Sequence, residues 1–182
     1  MTLDGFCDHT AGVVDEEIHN HYKDLMLEAG VVLYGRTTYE LMRFWQTLIE
    51  KPSGEQAMDA FALAIDQVPK IVFSHTLKAS DLGWETATLS NRSPEEEVLA
   101  LREQPGKDIY IGSRSLIIQL MKLNLIDEYQ ICIQPVVGDG KLPLFENMRT
   151  RTLLTLTKTK TFSGGAVIHY YEVKKESVSK KE

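Results

Sequence analysis

Two hydrophobic periodicities alternate along the first 124 residues, and this alternation limits the fold more than any other feature of the sequence. Short apolar runs typical of buried strands occur at 31–34, 70–74, 85–90 and 108–112. Strands that alternate with helices along a chain form parallel βαβ units. The alternating segment 127–137 and two strand patterns around Ser163-Gly164-Gly165 then predict an antiparallel ending. We therefore predict an α/β fold with three layers, in which a central mixed, mostly parallel sheet ends in a C-terminal antiparallel hairpin.

The helices have local signals of their own. Apolar residues at helical spacing predict helices over 15–29, 36–48, 55–66 and 113–124, and a further helix that ends before Pro105. Ser93, Pro94 and Glu96 supply that helix with an N-cap, a first-turn proline and a capping-box acid.

Composition indicates one globular domain. Apolar residues make up 43% of the 182 residues and charged residues 25%, so the chain can bury a sizeable core. We expect a single domain over 1–174 and a disordered tail over 175–182, where polar and charged residues predominate. The formal net charge of −6 argues against nonspecific binding to nucleic acid or to anionic membranes.

The sequence also bears on compartment. No apolar run reaches the roughly 18 residues of a membrane span, and the N-terminus lacks the layout of a signal peptide. Cys7 and Cys132 are too few for a disulfide scaffold and are expected to be reduced thiols. We therefore expect a cytoplasmic protein whose partner is a small-molecule substrate, with neither nucleic acid nor membrane as a partner.

The stretch VVLYGRTTYE, residues 31–40, places a glycine, a guanidinium and two hydroxyls where a strand ends and a helix begins. The first N–H groups of a helix have no internal partner, and the helix dipole favours an anion in front of them. Gly35 lets an anion approach the backbone, and Arg36 can pair with a phosphate through two nitrogens. Thr37 and Thr38 can donate hydroxyl protons. An ordinary helix N-cap also has this pattern, so the stretch alone leaves both interpretations open.

The same order of residues recurs in DIYIGSRSL, residues 108–116. There a strand is followed by glycine, two hydroxyls and an arginine at Gly112, Ser113, Arg114 and Ser115. A third strand end, in IVFSHTL, presents Ser74, His75 and Thr76. Three polar strand ends in one α/β sheet are typical of a nucleotide site at the carboxyl edge of the sheet. Neither the G-x-G-x-x-G fingerprint nor a P-loop is present in the sequence.

Several segments together resemble the dihydrofolate-reductase-like superfamily. The most similar branch is the one that includes the C-terminal reductase domain of the riboflavin-biosynthesis deaminase-reductase. The matching segments are TLDGF (2–6), LYGRTTYE (33–40), IVFSHTL (71–77), IYIGSRSL (109–116), LIDEYQICIQPVVGDGKLPLF (125–145) and FSGGAVIHYYE (162–172). Each is short, but their order and spacing together are specific and extend through nearly the whole chain.

The resemblance implies a reductase that binds NADPH. The residues that fall where the family holds the cofactor are Gly35, Arg36, Thr37, Thr38, Ser74, His75, Gly112, Ser113, Arg114, Ser115 and Leu116. Asp4 falls at the start of the loop near the nicotinamide and substrate. The resemblance also implies a homodimer, with the strand at 127–137 as the candidate contact.

Two departures from the family pattern raise questions. The family usually has Gly-Gly at its second phosphate turn, whereas this chain has Gly112-Ser113, so a side chain lies where two backbones pack closely. The family also has an interior strand before the LDG element, and this sequence has only Met1 and Thr2 there. Because an interior strand cannot be lost without exposing unpaired backbone groups, we expect an upstream start or an unusual N-terminal arrangement.

The proton donor is a third open point. The acid that binds pterin in dihydrofolate reductases falls near His19 in this sequence, and histidine can act as an acid near neutral pH. An exposed helical histidine is the alternative.

Trp45 can form a wall for a flat heterocycle or belong to the core. No metal site is predicted, because His19 and His21 lie two apart on a helix and point to different sides.

Together these features predict an NADPH-dependent reductase that transfers hydride to a small pterin- or aminopyrimidine-like substrate, of the dihydrofolate reductase or 5-amino-6-ribosylaminouracil reductase type. The alternative is an NADP(H)-binding sensor or degenerate paralogue without turnover. A structural dimer that has lost the cofactor is a third possibility.

Overall fold

The computed structural model describes residues 1–7, 9–10, 12–138, 141–146 and 151–174. Its contacts divide the chain into two compact units. The parallel unit is Val14–Leu125, and the antiparallel unit is Met1–Val13 together with Ile126–Glu182. The expected single domain over 1–174 stays a prediction, and the predicted tail at 175–182 lies outside the described residues.

The parallel unit alternates helices and strands as predicted. Its elements are α1 (Glu16–Glu28), β1 (Val31–Gly35), α2 (Arg36–Met42), α3 (Phe44–Glu50), α4 (Gln56–Gln67), β2 (Lys70–Phe73), a 3₁₀ turn (Ala79–Asp81), β3 (Ala87–Leu89), α5 (Pro94–Arg102), β4 (Ile109–Ile111) and α6 (Arg114–Lys122). The strands form one parallel sheet in the order β3-β2-β1-β4.

Helices cover both faces of this sheet. Val32 and Tyr34 of β1 point into a core cluster that includes Phe61 and Ile65 of α4. Leu33 lies on the opposite face, where α6 contacts β1, and it is fully buried. Burial on both faces explains why the VVLY run is continuously apolar rather than alternating.

Local caps fix the helix starts that the sequence predicted. The Asp15 carboxylate accepts the N–H of Ile18 at 2.9 Å at the start of α1. At α5, the Ser93 hydroxyl accepts the Glu96 N–H at 3.2 Å, and the Glu96 carboxylate accepts the Ser93 N–H at 2.9 Å. This is the capping box that the sequence predicted.

One predicted helix, 36–48, is two helices in the structure. The break lies at Arg43, between α2 and α3. Tyr39 and Trp45 are six residues apart, and a continuous helix would point them about 120° apart. The break turns α3 so that both side chains contact the same core cluster.

The antiparallel unit contains β5 (Glu128–Ile133), β6 (Leu154–Thr161) and β7 (Val167–Val173). They form a sheet in the order β5-β7-β6, in which β6 and β7 are the predicted hairpin. Residues 1–3 run beside β5: the Met1 ammonium donates to the Cys132 carbonyl at 2.6 Å, and the Leu3 N–H donates to the Val136 carbonyl at 2.8 Å.

The α/β fold, its parallel strands and its antiparallel ending are therefore confirmed. The sheet arrangement differs in one respect from the prediction of a single mixed sheet. In the described residues, the parallel and antiparallel strands form two hydrogen-bonded sheets, with β4 and β5 each at an edge of its own sheet.

Lys70 was not predicted to be buried, yet it lies inside the parallel unit with 1% of its surface exposed. Its ammonium donates to the Val68 carbonyl at 2.7 Å, to the Thr86 hydroxyl at 2.8 Å and to the Asp66 carbonyl at 3.3 Å. It also lies 4.0 Å from the ring centroid of Trp84. Because Asp66 and Val68 stand at the C-terminal end of α4, the ammonium satisfies carbonyls that the helix leaves open.

Candidate functional site

Three strand ends meet at the carboxyl edge of the parallel sheet. β1 lies between β2 and β4, with Gly35 in register with Phe73 and Leu33 in register with Ile111. Because the strands are parallel, the polar residues that follow them share one edge. The structure thereby brings together the turns at 35–38, 74–76 and 112–116.

Arg36 extends from the end of β1 toward the turn after β2. Its Nη1 donates to the Thr76 hydroxyl at 3.0 Å, and its Nε lies 3.6 Å from the Glu40 carboxylate. Both contacts are exposed to solvent, where an ion pair or hydrogen bond contributes little. The guanidinium can therefore exchange these partners for a phosphate at small cost.

Gly35 and Ser113 connect the other two turns. The Gly35 N–H donates to the Ser113 hydroxyl at 2.8 Å. Ser113 is 1% exposed, so this contact lies beneath the surface of the edge. A Cβ placed on Gly35 would lie 3.4 Å from the Ser115 hydroxyl oxygen, so a side chain there would meet the facing turn.

Gly112 is required by close packing. A Cβ at this position would lie 2.5 Å from Cε1 of Tyr34, closer than carbon atoms approach one another. Tyr34 is buried in the core, and burial raises the pKa of its phenol. The glycine of the second turn therefore permits the turn to lie against a fixed aromatic ring.

The start of α6 is open to an anion. Ser113 is the N-cap residue, yet its hydroxyl makes no capping hydrogen bond to its own helix. The first turn of α6 contains Arg114, Ser115 and Leu116. These N–H groups and the positive end of the helix dipole suit a phosphate oxygen.

The turn after β2 is held by Ser74. Its hydroxyl accepts the N–H of Thr76 at 3.1 Å and that of Leu77 at 3.0 Å. His75 sits at the exposed apex of this turn. Thr37 and Thr38 lie in the first turn of α2, a helix of seven residues, with Thr37 exposed and Thr38 half-buried.

His19 and Trp45 lie in a cluster of aromatic rings within the parallel unit. The His19 ring centroid lies 5.8 Å from that of Trp45 and 6.3 Å from that of Phe61, and the Trp45 and Phe61 centroids are 4.5 Å apart. His19 is thus half-buried rather than exposed, and burial lowers its pKa. The imidazole is therefore largely unprotonated at neutral pH. The packing of Trp45 on α4 suits a core side chain, and its role as a substrate wall stays a prediction.

Asp4 belongs to the antiparallel unit. Hydrogen bonds lower the pKa of its carboxyl, first that from the Thr2 side chain and then that from the Gly138 N–H, at 3.3 Å from Oδ2. An ionised carboxylate that accepts N–H groups fixes a loop and is a poor proton source. A catalytic role for Asp4 or His19 stays a prediction, and the structure gives both residues packing or loop contacts.

Sequence reasoning missed the two side-chain contacts that Arg36 makes at this site. Thr76 was not foreseen as the partner of Arg36, although it lies in the quoted strand end. Glu40 was not foreseen either, although an i, i+4 acid after arginine is a recognisable helical pair. The side chains of the described residues form no group of three or more metal-ligating residues, and no described helix is long and apolar enough to cross a membrane.

The chain is similar to a known domain family and to two curated proteins. A family model described as the RibD C-terminal domain matches residues 1–168. Two curated proteins of Bacillus subtilis (strain 168) are similar: uncharacterized protein YyaP is 36% identical over 172 residues, covering 92% of this chain and 88% of its own length, and uncharacterized protein YwjB is 27% identical over 177 residues, covering 93% and 92%.

Two solved structures show the same fold. A putative riboflavin biosynthesis protein from Shewanella sp. PV-4 superposes with a TM-score of 0.71 at 20% identity, covering 96% of each chain. A pyrimidine reductase-like protein from Corynebacterium diphtheriae superposes with a TM-score of 0.62 at 15% identity, covering 97% of this chain and 90% of that one.

Proposed function

The chain belongs to the RibD C-terminal domain family, a reductase-like branch of the dihydrofolate-reductase-like superfamily, and from this premise we propose that it is an NADPH-dependent reductase. Its substrate would be a small pterin- or aminopyrimidine-like heterocycle. The observation that carries the proposal is the meeting of three polar strand ends at one sheet edge, with Arg36 beside them and the start of α6 uncapped.

The residues at this edge fit the phosphates of a dinucleotide. The N–H groups of the first turn of α6 can donate to the pyrophosphate, and Gly112 leaves the backbone accessible. Arg36 can pair with a further phosphate, such as the 2′-phosphate that distinguishes NADPH from NADH. The bound cofactor supplies the hydride, and the protein supplies orientation and a dry environment.

The substrate class rests on the relatives. One structural neighbour is described as a riboflavin biosynthesis protein and another as pyrimidine reductase-like. A flat, nitrogen-containing ring of the pyrimidine type is the chemical class that these descriptions share. We extend that class to this chain as part of the proposal.

A second function is favoured by one observation. Hydrogen bonds lower the pKa of Asp4 and burial lowers that of His19, so the surroundings hold neither candidate proton donor in its protonated form. A protein that binds NADP(H) without turnover needs no proton donor. The alternative is therefore an NADP(H)-binding sensor.

Turnover separates the two functions. Purified protein is mixed with NADPH and, in turn, with dihydropterins and aminouracil ribosides, and loss of NADPH absorbance is followed. A reductase oxidises NADPH only when its substrate is present. Binding of NADPH without oxidation across both classes of substrate would favour the sensor.

A further inference from the structure

The buried Ser113 hydroxyl is the feature at this edge that the proposed function does not yet use. Ser113 stands at the start of α6, where serine ordinarily accepts an N–H from its own helix. Here the hydroxyl turns away from α6 and accepts the N–H of Gly35, 78 residues earlier in the chain, at 2.8 Å. The side chain therefore joins two turns instead of capping one helix.

The position of this hydrogen bond in the sheet is informative. The Gly112 N–H donates to the Leu33 carbonyl at 3.2 Å, which is the last backbone rung between β4 and β1. In a parallel ladder, the next rung would run from the Gly35 N–H to the Gly112 carbonyl. The Ser113 hydroxyl accepts that N–H instead. A side chain therefore replaces the last backbone hydrogen bond of the ladder, at the point where the two backbones diverge.

This arrangement has two consequences for the edge. It fixes the distance between the end of β1 and the start of α6, because Ser113 is buried and breaking this part-buried hydrogen bond would leave its hydroxyl without the Gly35 partner. It also means that the Ser113 hydroxyl, which would ordinarily accept an N–H of the first helical turn, does not cap α6. A glycine at position 113 would also leave α6 without this cap, but it could not supply the hydrogen bond to Gly35.

We infer that Ser113 is a positioning residue that holds the end of β1 and the N-terminus of α6 at the separation required to bind the cofactor pyrophosphate. This inference rests on the proposed function. It gives the Gly112-Ser113 sequence a role of its own, in which the hydroxyl preorganises the turn rather than obstructing it.

The inference makes a distinctive prediction about the two nicotinamide cofactors. NADPH and NADH share the pyrophosphate and differ at the 2′-phosphate. Replacing Ser113 by alanine or by glycine should raise the Kd of both cofactors by the same factor, roughly five- to tenfold. Ser80→Ala, which removes an exposed hydroxyl from the 3₁₀ turn, is the matched control and should leave both Kd values unchanged.

The hydrogen bond itself is measured without any cofactor. The Gly35 amide proton should exchange slowly with solvent in the unmodified protein and faster in Ser113→Ala. The unfolding midpoint is measured for each variant, and the titrations are run well below it. A residue that only stabilises the fold would lower the midpoint and leave the Kd of the folded protein unchanged.

The outcomes separate this inference from the proposed function. If the unmodified protein binds NADPH and both Ser113 variants bind it equally well, the positioning role is wrong and the reductase proposal stands. If the variants lose affinity for NADPH alone, Ser113 acts at the 2′-phosphate and the inference is also wrong. If the unmodified folded protein binds neither cofactor, the proposed function and the inference fall together.

Discussion

Arg36 holds two weak partners at the surface of the sheet edge, the Thr76 hydroxyl and the Glu40 carboxylate. A charge-assisted hydrogen bond to phosphate is worth about 1.5–3 kcal/mol, more than these contacts supply. Arg36→Ala should therefore raise the Kd of NADPH by about tenfold or more and change that of NADH little. Arg92→Ala removes an exposed arginine with a similar 3.6 Å ion pair and serves as the control. If Arg36→Ala raises the Kd of NADPH and of NADH equally, Arg36 contacts the pyrophosphate rather than the 2′-phosphate.

Lys70 gives the parallel unit a pH dependence that can be measured. Burial lowers its pKa from 10.5 to about 8, opposed by the nearby Asp66 carboxylate. Between these two values the folded protein has released the proton while the unfolded chain still holds it. The unfolded state thus binds more protons, and the free energy of unfolding rises with pH across this window.

The measurement is denaturant unfolding of the unmodified protein and of Lys70→Met from pH 7 to pH 10.5. As the pH rises across this range, the free energy of unfolding of the unmodified protein should increase by up to about 3 kcal/mol relative to that of Lys70→Met. Lys107→Met, in which an exposed lysine with one backbone contact is replaced, is the control and should follow the unmodified protein. Parallel pH profiles for the unmodified protein and Lys70→Met would contradict the lowered pKa.

At the scale of elements, the turn between β4 and α6 depends on the absence of a side chain at Gly112. Because a Cβ there would meet the buried Tyr34 ring at 2.5 Å, Gly112→Ala must displace either the turn or the ring. We expect the free energy of unfolding to fall by about 1–3 kcal/mol and the affinity for NADPH to fall with it.

Gly106→Ala is the matched control for that substitution. A Cβ at Gly106 meets nothing within 4 Å, so the change should leave unfolding and binding nearly unaltered. Both properties are measured by thermal unfolding and by titration with NADPH. An unaltered Gly112→Ala variant would show that the turn and the Tyr34 ring can move apart freely.

The elements that the sequence predicted well are those whose signals are local. Ser93 and Glu96 lie three residues apart, so the capping box at α5 is readable without knowledge of the fold. Gly35 at the end of β1 and Gly112 directly after β4 mark strand ends in the same way. These signals were enough to place the strand ends at one edge, because parallel strands share an edge by geometry.

The features that escaped prediction depend on distant partners. The Ser113 hydroxyl meets an N–H that lies 78 residues away, so its own neighbours predict only a helix cap. Lys70 begins a strand, where a lysine usually marks solvent, and its burial depends on carbonyls at the end of α4. The break at Arg43 likewise follows from what Tyr39 and Trp45 contact rather than from helix propensity.

At the scale of the whole molecule, we propose a homodimer that uses the segment 127–137. Val137 lies in this segment with 73% of its surface exposed, the largest exposure among the large apolar residues described. Light scattering should give twice the chain mass of 20.6 kDa, and Val137→Glu should reduce it to the mass of one chain. Leu63→Glu, at an exposed apolar position on α4, should leave the mass unchanged. A monomer at all concentrations in the unmodified protein would contradict the proposal.

The central claim is that the edge formed by Gly35, Arg36 and the start of α6 binds NADPH, and one titration tests it most directly. The purified, folded protein is titrated with NADPH and with NADH, and binding is followed by the fluorescence of its two tryptophans, Trp45 and Trp84. The account predicts saturable binding of both cofactors with a lower Kd for NADPH. If neither cofactor binds, the residues at this edge serve only to start helices, and the account is contradicted.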